Sequence, residues 1–370
     1  MHFKSVIGQE KLKSRLIEEV KNDKVSHAQL FLGKPGYGTL PMALAFAQYL
    51  FCENKGEKDS CGECSSCLRV DKMEHPDLHF SFPTVQALSN TSDPFLSDWR
   101  EQVIEMPYFN LNSWLKRIDP KERKPIISVH ESQQIIKKLT LKAFEGGYKV
   151  MIIWMAEEMN PQCANKLLKI IEEPPAKTVF ILVAESQDYI LQTILSRTQK
   201  IIFPKIGCDD TIEYLKSKKG GAPSESIVSR SKGDLIEAQE LFSENQGEDA
   251  NNQLFIQLMR VCYKKNVLDM ISWAEDITKT SKENQKQFLK YALHMFRQSI
   301  LRNYTGDVIT RVSEDEDAFL ENFAKFITGN NIQSMTESFS DSVYYIERNA
   351  NTKILFTNLC FQVMRHIHTG

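Results

Sequence analysis

The chain has 370 residues, which is too long for one typical domain and predicts two or three. A formal net charge of −2 argues against a protein that coats nucleic acid over its whole surface, because such domains are strongly basic. The hydrophobic content of 42% is ordinary, and no run of about 18 apolar residues predicts a membrane span. No apolar signal core follows the first residues, so we expect a cytoplasmic location.

The first half of the chain alternates apolar strands with amphipathic helices. The predicted elements are, in order, helix 9–23, strand 28–32, helix 41–51, sheet-like sequence at 126–129, helix 131–144, strand 149–153, helix 161–172 and strand 179–183. Strands that alternate with helices are typical of a parallel sheet covered on both faces. We therefore predict a doubly wound α/β domain that ends near residue 204.

The sequence after residue 204 predicts helices only. Two helical stretches within 208–243 flank residues 220–223 and indicate a small helical domain. From about residue 250, apolar side chains recur at helical spacing, as at Leu254, Leu258 and Val261. The predicted domains are the α/β domain at 1–204, a small helical domain at 205–245 and an all-helical domain at 246–370.

Residues 84–125 interrupt the alternation and are the hardest part to interpret. Ser, Asn, Asp and Pro dominate their start, and Trp99, Tyr108, Phe109 and Trp114 follow. We interpret this segment as a partly helical surface insertion. An insertion that binds a partner is the alternative.

Four of the eight cysteines, Cys52, Cys61, Cys64 and Cys67, fall within sixteen residues. In a reducing compartment, clustered cysteines indicate a metal site rather than disulfides. Four thiolates close the tetrahedral shell of zinc and leave no position for water, so we predict a structural Zn²⁺ ion. Free or redox cysteines are the alternative. A DNA-reading finger is disfavoured, since no basic helix accompanies the cluster.

A glycine loop between the first strand and its helix has the shape of a phosphate-binding loop without its chemistry. Such loops follow G-x-x-x-x-G-K-[ST], in which the lysine reaches the terminal phosphates and the hydroxyl holds magnesium. Gly33, Gly36 and Gly38 are in place, but Thr39 replaces the lysine and Leu40 replaces the hydroxyl. We predict an empty loop. Binding of an anion by its backbone is the alternative.

The strand that should carry the magnesium-binding acid has lost it as well. Nucleotide hydrolases place an Asp just after an apolar strand. Here residues 150–153 are followed by Trp154 and Met155, while Glu157 and Glu158 lie out of register. We therefore do not expect this chain to hydrolyse ATP.

Several motifs, in order along the chain, resemble the delta-prime subunit family of the bacterial DNA polymerase III clamp loader, and more distantly its gamma/tau ATPase subunits. They are Val6-Ile7-Gly8-Gln9-Glu10, residues 26–33, the four-cysteine insertion, His75-Pro76-Asp77, residues 164–175 and Ser196-Arg197-Thr198. Thr198 stands where the family has cysteine. The resemblance covers about residues 3–203, matches the small helical domain more loosely and returns at Arg348-Asn349-Ala350-Asn351.

The resemblance implies an AAA+ (RecA-like) parallel-sheet domain with a zinc module at about 52–67, a small helical lid domain and a C-terminal all-α collar domain that mediates oligomerisation. It implies a component that does not hydrolyse ATP itself and works within the DNA polymerase III holoenzyme. Its partners would be the gamma/tau and delta subunits and, through the complex, the sliding clamp and primed DNA.

The resemblance also assigns a role to Ser196 and Arg197. In the family this serine-arginine motif reaches the ATP of a neighbouring subunit. A guanidinium can fork onto phosphate oxygens and stabilise the charge of the transferring phosphoryl group in trans. An arginine that only pairs with a carboxylate is the alternative. Ile236 stands where family ATPases carry an arginine that senses nucleotide.

Two other functions remain open. An active AAA+ motor, such as a gamma/tau-like ATPase or a branch-migration helicase, is opposed by Thr39, Leu40 and Trp154. An independent zinc-containing DNA-binding protein is opposed by the nearly neutral charge.

Overall fold

The computed structural model describes residues 1–119, 121, 123–144, 146–219, 225–243, 248–305, 312, 314–348 and 350–369. They form two compact units. The first comprises Met1–Lys219 and Lys232–Ala238, and the second comprises Gly220–Ser231 and Gln239–Gly370. Residues of the predicted lid domain, 205–245, belong partly to each unit. Residues 220–223, the boundary at 245 and Asn349 lie outside the described residues, so the division into three domains stays a prediction.

The first unit is built on a five-stranded parallel sheet with the strand order β2-β3-β4-β1-β5. The strands are β1 (Ala28–Leu32), β2 (Leu78–Ser81), β3 (Lys149–Trp154), β4 (Thr178–Ala184) and β5 (Gln199–Ile202). All residues of β3 and β4 are buried, as expected for apolar strands covered on both faces. The predicted parallel α/β class is confirmed.

Helices cover both faces of this sheet. The helices of the first unit up to residue 219 are α1 (Glu10–Lys21), α2 (Thr39–Phe51), α3 (Ser65–Asp71), α4 (Leu96–Glu105), α5 (Leu111–Ile118), α6 (Val129–Thr140), α7 (Pro161–Glu172), α8 (Gln192–Leu195) and α9 (Cys208–Lys219). Successive strand side chains point to opposite faces. Ile152 and Ile181 therefore pack with the apolar residues of α2, whereas Ile153 and Leu182 pack with those of α7.

The sheet-like sequence predicted at 126–129 is not a strand. Ile126 and Ile127 form only isolated bridges, and the Ser128 hydroxyl caps α6 by accepting a hydrogen bond from the His130 N–H. Helix α6 therefore starts two residues earlier than predicted and ends at Thr140. Strands β2 and β5 were not predicted. Each has four residues, and the exposed pattern of β5 offers little periodicity.

The segment 84–125 is partly helical, as predicted, but it is not only a surface excursion. Its side chains Trp99, Phe109 and Trp114 are fully buried in the main core. The Trp99 ring stacks on Phe82 with centroids 4.4 Å apart and lies 5.2 Å from the Trp154 ring. Large aromatic rings bury much apolar area, so this segment extends the core over the end of β3.

The described part of the second unit is helical. The helices after residue 220 are α10 (Glu225–Ser231), α11 (Leu235–Ser243), which spans both units, α12 (Glu248–Tyr263), α13 (Val267–Thr278), α14 (Lys282–Thr305), α15 (Glu314–Phe323), α16 (Ile332–Glu347) and α17 (Thr352–Thr369). Phe255 lies at the centre of their core, with aromatic rings edge-on around it. Within the described residues, no helix is both long and apolar enough to cross a membrane.

Candidate functional sites of the α/β unit

The four clustered cysteines meet between α2 and α3. Their sulfur atoms all lie within 4.8 Å of one another. The Cys61 Sγ atom is 3.6 Å from that of Cys52 and 3.9 Å from that of Cys67. Sulfur atoms around a tetrahedral zinc ion are about 3.8 Å apart, given Zn–S bonds of about 2.3 Å, whereas a disulfide requires about 2.05 Å. The four cysteines can therefore hold one metal ion.

Backbone N–H groups point at three of these sulfur atoms. The N–H of Cys61 donates to Cys52 Sγ, that of Cys64 to Cys61 Sγ, and that of Cys67 to Cys64 Sγ. The backbone N–H groups of Glu63 and Cys64 lower the pKa of Cys61 to about 6, while burial raises the pKa of Cys52 and Cys67. Donors around sulfur are what a set of metal-bound thiolates requires.

The loop that carries the cysteines also holds the N-terminal turn. The Asp59 carboxylate accepts hydrogen bonds from the N–H groups of Phe3 and Lys4, each at 3.0 Å. Phe3 is 1% exposed and packs against Tyr49 of α2. The cysteine loop therefore links the first residues of the chain to the core.

The glycine loop lies between β1 and α2, where a phosphate-binding loop would lie. Its residues 35–37 form a 3-10 turn, in which the Tyr37 N–H donates to the Lys34 carbonyl and the Gly38 N–H donates to the Pro35 carbonyl. These two N–H groups are thus already bonded within the loop. Thr39 and Leu40 are only 1% and 2% exposed, so their side chains belong to the core.

A carboxylate occupies the space beside Gly36. A Cβ atom on Gly36 would lie 1.8 Å from Asp234 Oδ1, and the Lys34 Nζ atom is 3.6 Å from Asp234 Oδ2. Asp234 Oδ1 also accepts from the Ile236 N–H at the start of α11. Burial raises the pKa of Asp234. A phosphate that approached Gly36 would therefore meet this acidic side chain.

The end of β3 carries no exposed acid. Trp154 is buried in the aromatic cluster with Trp99 and Phe109. Beyond it, the Glu157 Oε1 atom accepts a 2.7 Å hydrogen bond from the Glu185 N–H, and burial raises the pKa of Glu157 to about 7. The strand thus ends at the buried Trp154, where a nucleotide hydrolase would carry its acid, and the absence of hydrolysis by this chain stays a prediction.

Arg197 lies two residues after the short helix α8, next to the C-cap residue Ser196. Its Nε atom donates to Glu172 Oε2 at 2.9 Å, and its Nη1 atom donates to the Thr193 carbonyl at 3.2 Å. The Ser196 hydroxyl donates to the same carbonyl. The Arg197 side chain is 33% exposed. The carboxylate pairing that the sequence left open is thus present, and the guanidinium also remains partly accessible.

Residues 8–207, more than half of the chain, match the profile of the family described as DNA polymerase III, delta subunit. The chain is 30% identical to the delta-prime subunit of Bacillus subtilis over 188 residues, 51% of this chain and 45% of the relative. It is 28% identical to the delta-prime subunit of Pseudomonas aeruginosa over 219 residues, 58% of this chain and 56% of the relative. The chain belongs to the delta-prime clamp-loader family of DNA polymerase III.

The chain is also similar to a clamp-loader subunit other than delta-prime. The DNA polymerase III subunit tau of Bacillus subtilis is 26% identical over 323 residues, 81% of this chain and 50% of tau. The chain spans about half the length of these curated relatives. The family resemblance predicted from the motifs is confirmed.

Two contacts at these sites were not predicted, those of Asp234 and Glu172. Gly233-Asp234 directly before an apolar helix is an N-cap signal, which could have drawn attention to Asp234. Glu172 ends α7 within a motif of the family. The partners of both side chains lie far away in the sequence, so no local pattern shows them.

Proposed function

We propose that this chain is a clamp-loader component that does not hydrolyse ATP and assembles with gamma/tau and delta subunits to load the sliding clamp onto primed DNA. The observation that carries this proposal is the glycine loop. Its Tyr37 and Gly38 N–H groups are bonded within the turn, and the Asp234 carboxylate lies against Gly36. Ile236, two residues after Asp234, occupies the position where family ATPases carry a nucleotide-sensing arginine.

Arg197 would then act on the ATP of a neighbouring gamma/tau subunit. The Ser196 hydroxyl, which donates to the Thr193 carbonyl, would fix the end of α8. Partial exposure and the remaining guanidinium donors support this role. An arginine is always charged and can contact two phosphate oxygens at once. Such a finger can raise phosphoryl-transfer rates about a thousand-fold or more.

The four cysteines would hold a structural zinc ion, because the donors are all thiols and their spacing fits a tetrahedral shell. The ion would supply no catalysis. It would fix the loop between α2 and α3 and, through Asp59, the N-terminal turn. The AAA+ lid and collar domains, and the cytoplasmic location, also stay predictions.

The similarity to tau over 323 residues makes an active ATPase the second candidate. One reconstitution separates the two. Mixed with the gamma/tau and delta subunits of its own organism, the chain should co-purify and restore ATP hydrolysis stimulated by clamp and primed DNA. Alone, it should not hydrolyse ATP. Ordinary turnover by the isolated chain, or failure to join the complex, would contradict the proposal.

A further inference from the structure

We infer that Glu172 is a positioning residue for Arg197, which holds one edge of the guanidinium and leaves another edge for phosphate. The inference rests on the proposed role of Arg197 in trans. It adds a second residue of this chain, on a different helix, to the site that serves the neighbouring subunit. Nothing in the motif Ser196-Arg197-Thr198 itself would indicate that residue.

The contacts divide the five N–H donors of the guanidinium into two groups. Nε donates to Glu172 Oε2 at 2.9 Å, while Nη1 faces the Thr193 carbonyl at 3.2 Å and the Ser196 hydroxyl at 3.4 Å. In the part of the chain that the structure describes, the two donors on Nη2 have no hydrogen-bond partner. Helices α7 and α8 thus hold one side of the group, and Nη2 stays available.

This pair contributes little to folding, because both side chains are partly exposed, Arg197 at 33% and Glu172 at 55%. Its effect is geometric. A free arginine side chain samples many rotamers and loses that freedom when it binds phosphate. A carboxylate that already fixes the Nε edge reduces this loss and sets the direction of the remaining donors. Misplacement of a catalytic group by about 1 Å can lower a rate by about a hundred-fold.

The chain provides a matched control at the next position. Glu173 has the same charge, is exposed and forms no ion pair within the described residues. A change in net charge near Arg197 therefore affects Glu172 and Glu173 variants alike. Only Glu172 variants change the contact with Nε. Glu172→Gln keeps a carbonyl oxygen that can accept from Nε, whereas Glu172→Ala removes the acceptor.

The experiment uses the assembled clamp loader with clamp and primed DNA, and measures kcat and the KM for ATP. Arg197→Ala defines the full loss from this site. We expect Glu172→Ala to cause most of that loss in kcat, with the KM changed less than about two-fold. Glu172→Gln and Glu173→Ala should stay near wild type. The double variant Arg197→Ala/Glu172→Ala should be no slower than Arg197→Ala.

Two results would overturn the inference, and they differ from each other. If Arg197→Ala is slow but Glu172→Ala turns over like wild type or faster, Arg197 acts in trans without help from Glu172. If Arg197→Ala itself matches wild type in a fully assembled complex, the proposed role of Arg197 fails, and that of Glu172 fails with it. Equal melting temperatures of all variants would show that a change in folding does not cause the differences in turnover.

Discussion

The Asp234 carboxylate lies directly against the backbone of Gly36, so close that a Cβ atom on Gly36 would be 1.8 Å from Asp234 Oδ1. This contact joins the start of α11 to the glycine loop within the first unit. The contact also explains, without a bound phosphate, why only a glycine fits at position 36. In an active loop a glycine lets a phosphate approach the backbone, whereas here it admits a carboxylate of the same chain.

Gly36→Ala should therefore destabilise the chain by roughly 1–3 kcal/mol, as overpacking usually does. Asp234→Ala should remove part of this cost, because the Leu235 N atom would still lie 2.9 Å from the new Cβ. In a double-mutant cycle measured by urea unfolding, the double variant should therefore lose less stability than the sum of the two single substitutions. Gly147→Ala, where a Cβ meets nothing within 4 Å, is the control. Additive effects of the two substitutions would mean that the side chains do not meet.

Thr39→Lys should not create an ATPase, although it restores the residue type that phosphate-binding loops require. Thr39 is 1% exposed, so a lysine there is buried or pushes α2 aside, and we expect lower stability. The variant still lacks the hydroxyl at Leu40 and the acid at Trp154. Steady-state ATP hydrolysis should equal the background of a no-protein control. Turnover at an ordinary enzymatic rate would contradict the assignment of the loop.

The sequence predicted the parts of the fold that depend on local pattern. Apolar runs predicted β1, β3 and β4, and the cysteine spacing predicted that the four thiols lie close together. It missed β2 and β5, because four residues carry too little periodicity to separate a strand from a loop. The interpretation of 84–125 was incomplete for another reason. Burial of Trp99 depends on Phe82 and Trp154, which are distant in sequence.

The candidate sites also divide into one that local spacing predicts, the cysteine cluster, and two whose contacts it does not predict. Each cysteine of the cluster lies within sixteen residues of the others, so spacing alone brought them together. The partners of Asp234 and Arg197 lie about 200 and 25 residues away, at Gly36 and Glu172. Only the order of the strands and the path of α7 and α11 bring these side chains together, and a single sequence does not encode that order in any local motif.

The cysteine cluster should bind one zinc ion per chain, measured by elemental analysis of protein purified without chelator. Cys64→Ser should lose the ion and destabilise the first unit by more than about 2 kcal/mol, since metal binding and local folding are linked. Amide hydrogen exchange should rise at 52–70 and also at Phe3 and Lys4, which Asp59 holds. Cys208→Ser, at an exposed cysteine outside the cluster, is the control. Absence of zinc from the wild-type chain would refute the site.

Arg197→Ala should leave the stability of the isolated chain nearly unchanged, within about 0.5–1 kcal/mol, because exposed ion pairs contribute little. In the assembled loader the same change should lower ATP turnover. The loss in total turnover will be smaller than that at one site if the other ATP sites have their own arginines. Arg197→Lys should rescue poorly, since an ammonium group cannot replace a planar fork. Full activity of the lysine variant would indicate that charge alone suffices.

Glu157 makes the stability of the first unit depend on pH. Burial raises its folded-state pKa to about 7, above the ordinary value of about 4.3, so the folded chain binds this proton more tightly than the unfolded chain. The contribution of Glu157 to stability is therefore most favourable below about pH 4.3 and declines as pH rises to about 7. Its ionisation in the folded chain then costs at most about 4 kcal/mol, and less where water reaches the carboxylate.

Glu157→Gln should accordingly be more stable than wild type at pH 8, and this advantage should shrink steadily as pH falls toward 4.5. The amide oxygen can still accept from the Glu185 N–H, so that hydrogen bond does not explain the change. Urea unfolding of both chains at half-unit pH intervals measures the difference in the free energy of unfolding. Glu173→Gln, at an exposed glutamate, should show no such trend. A difference between Glu157→Gln and wild type that is constant from pH 4.5 to pH 8 would show that Glu157 is ionised throughout this range in the folded chain.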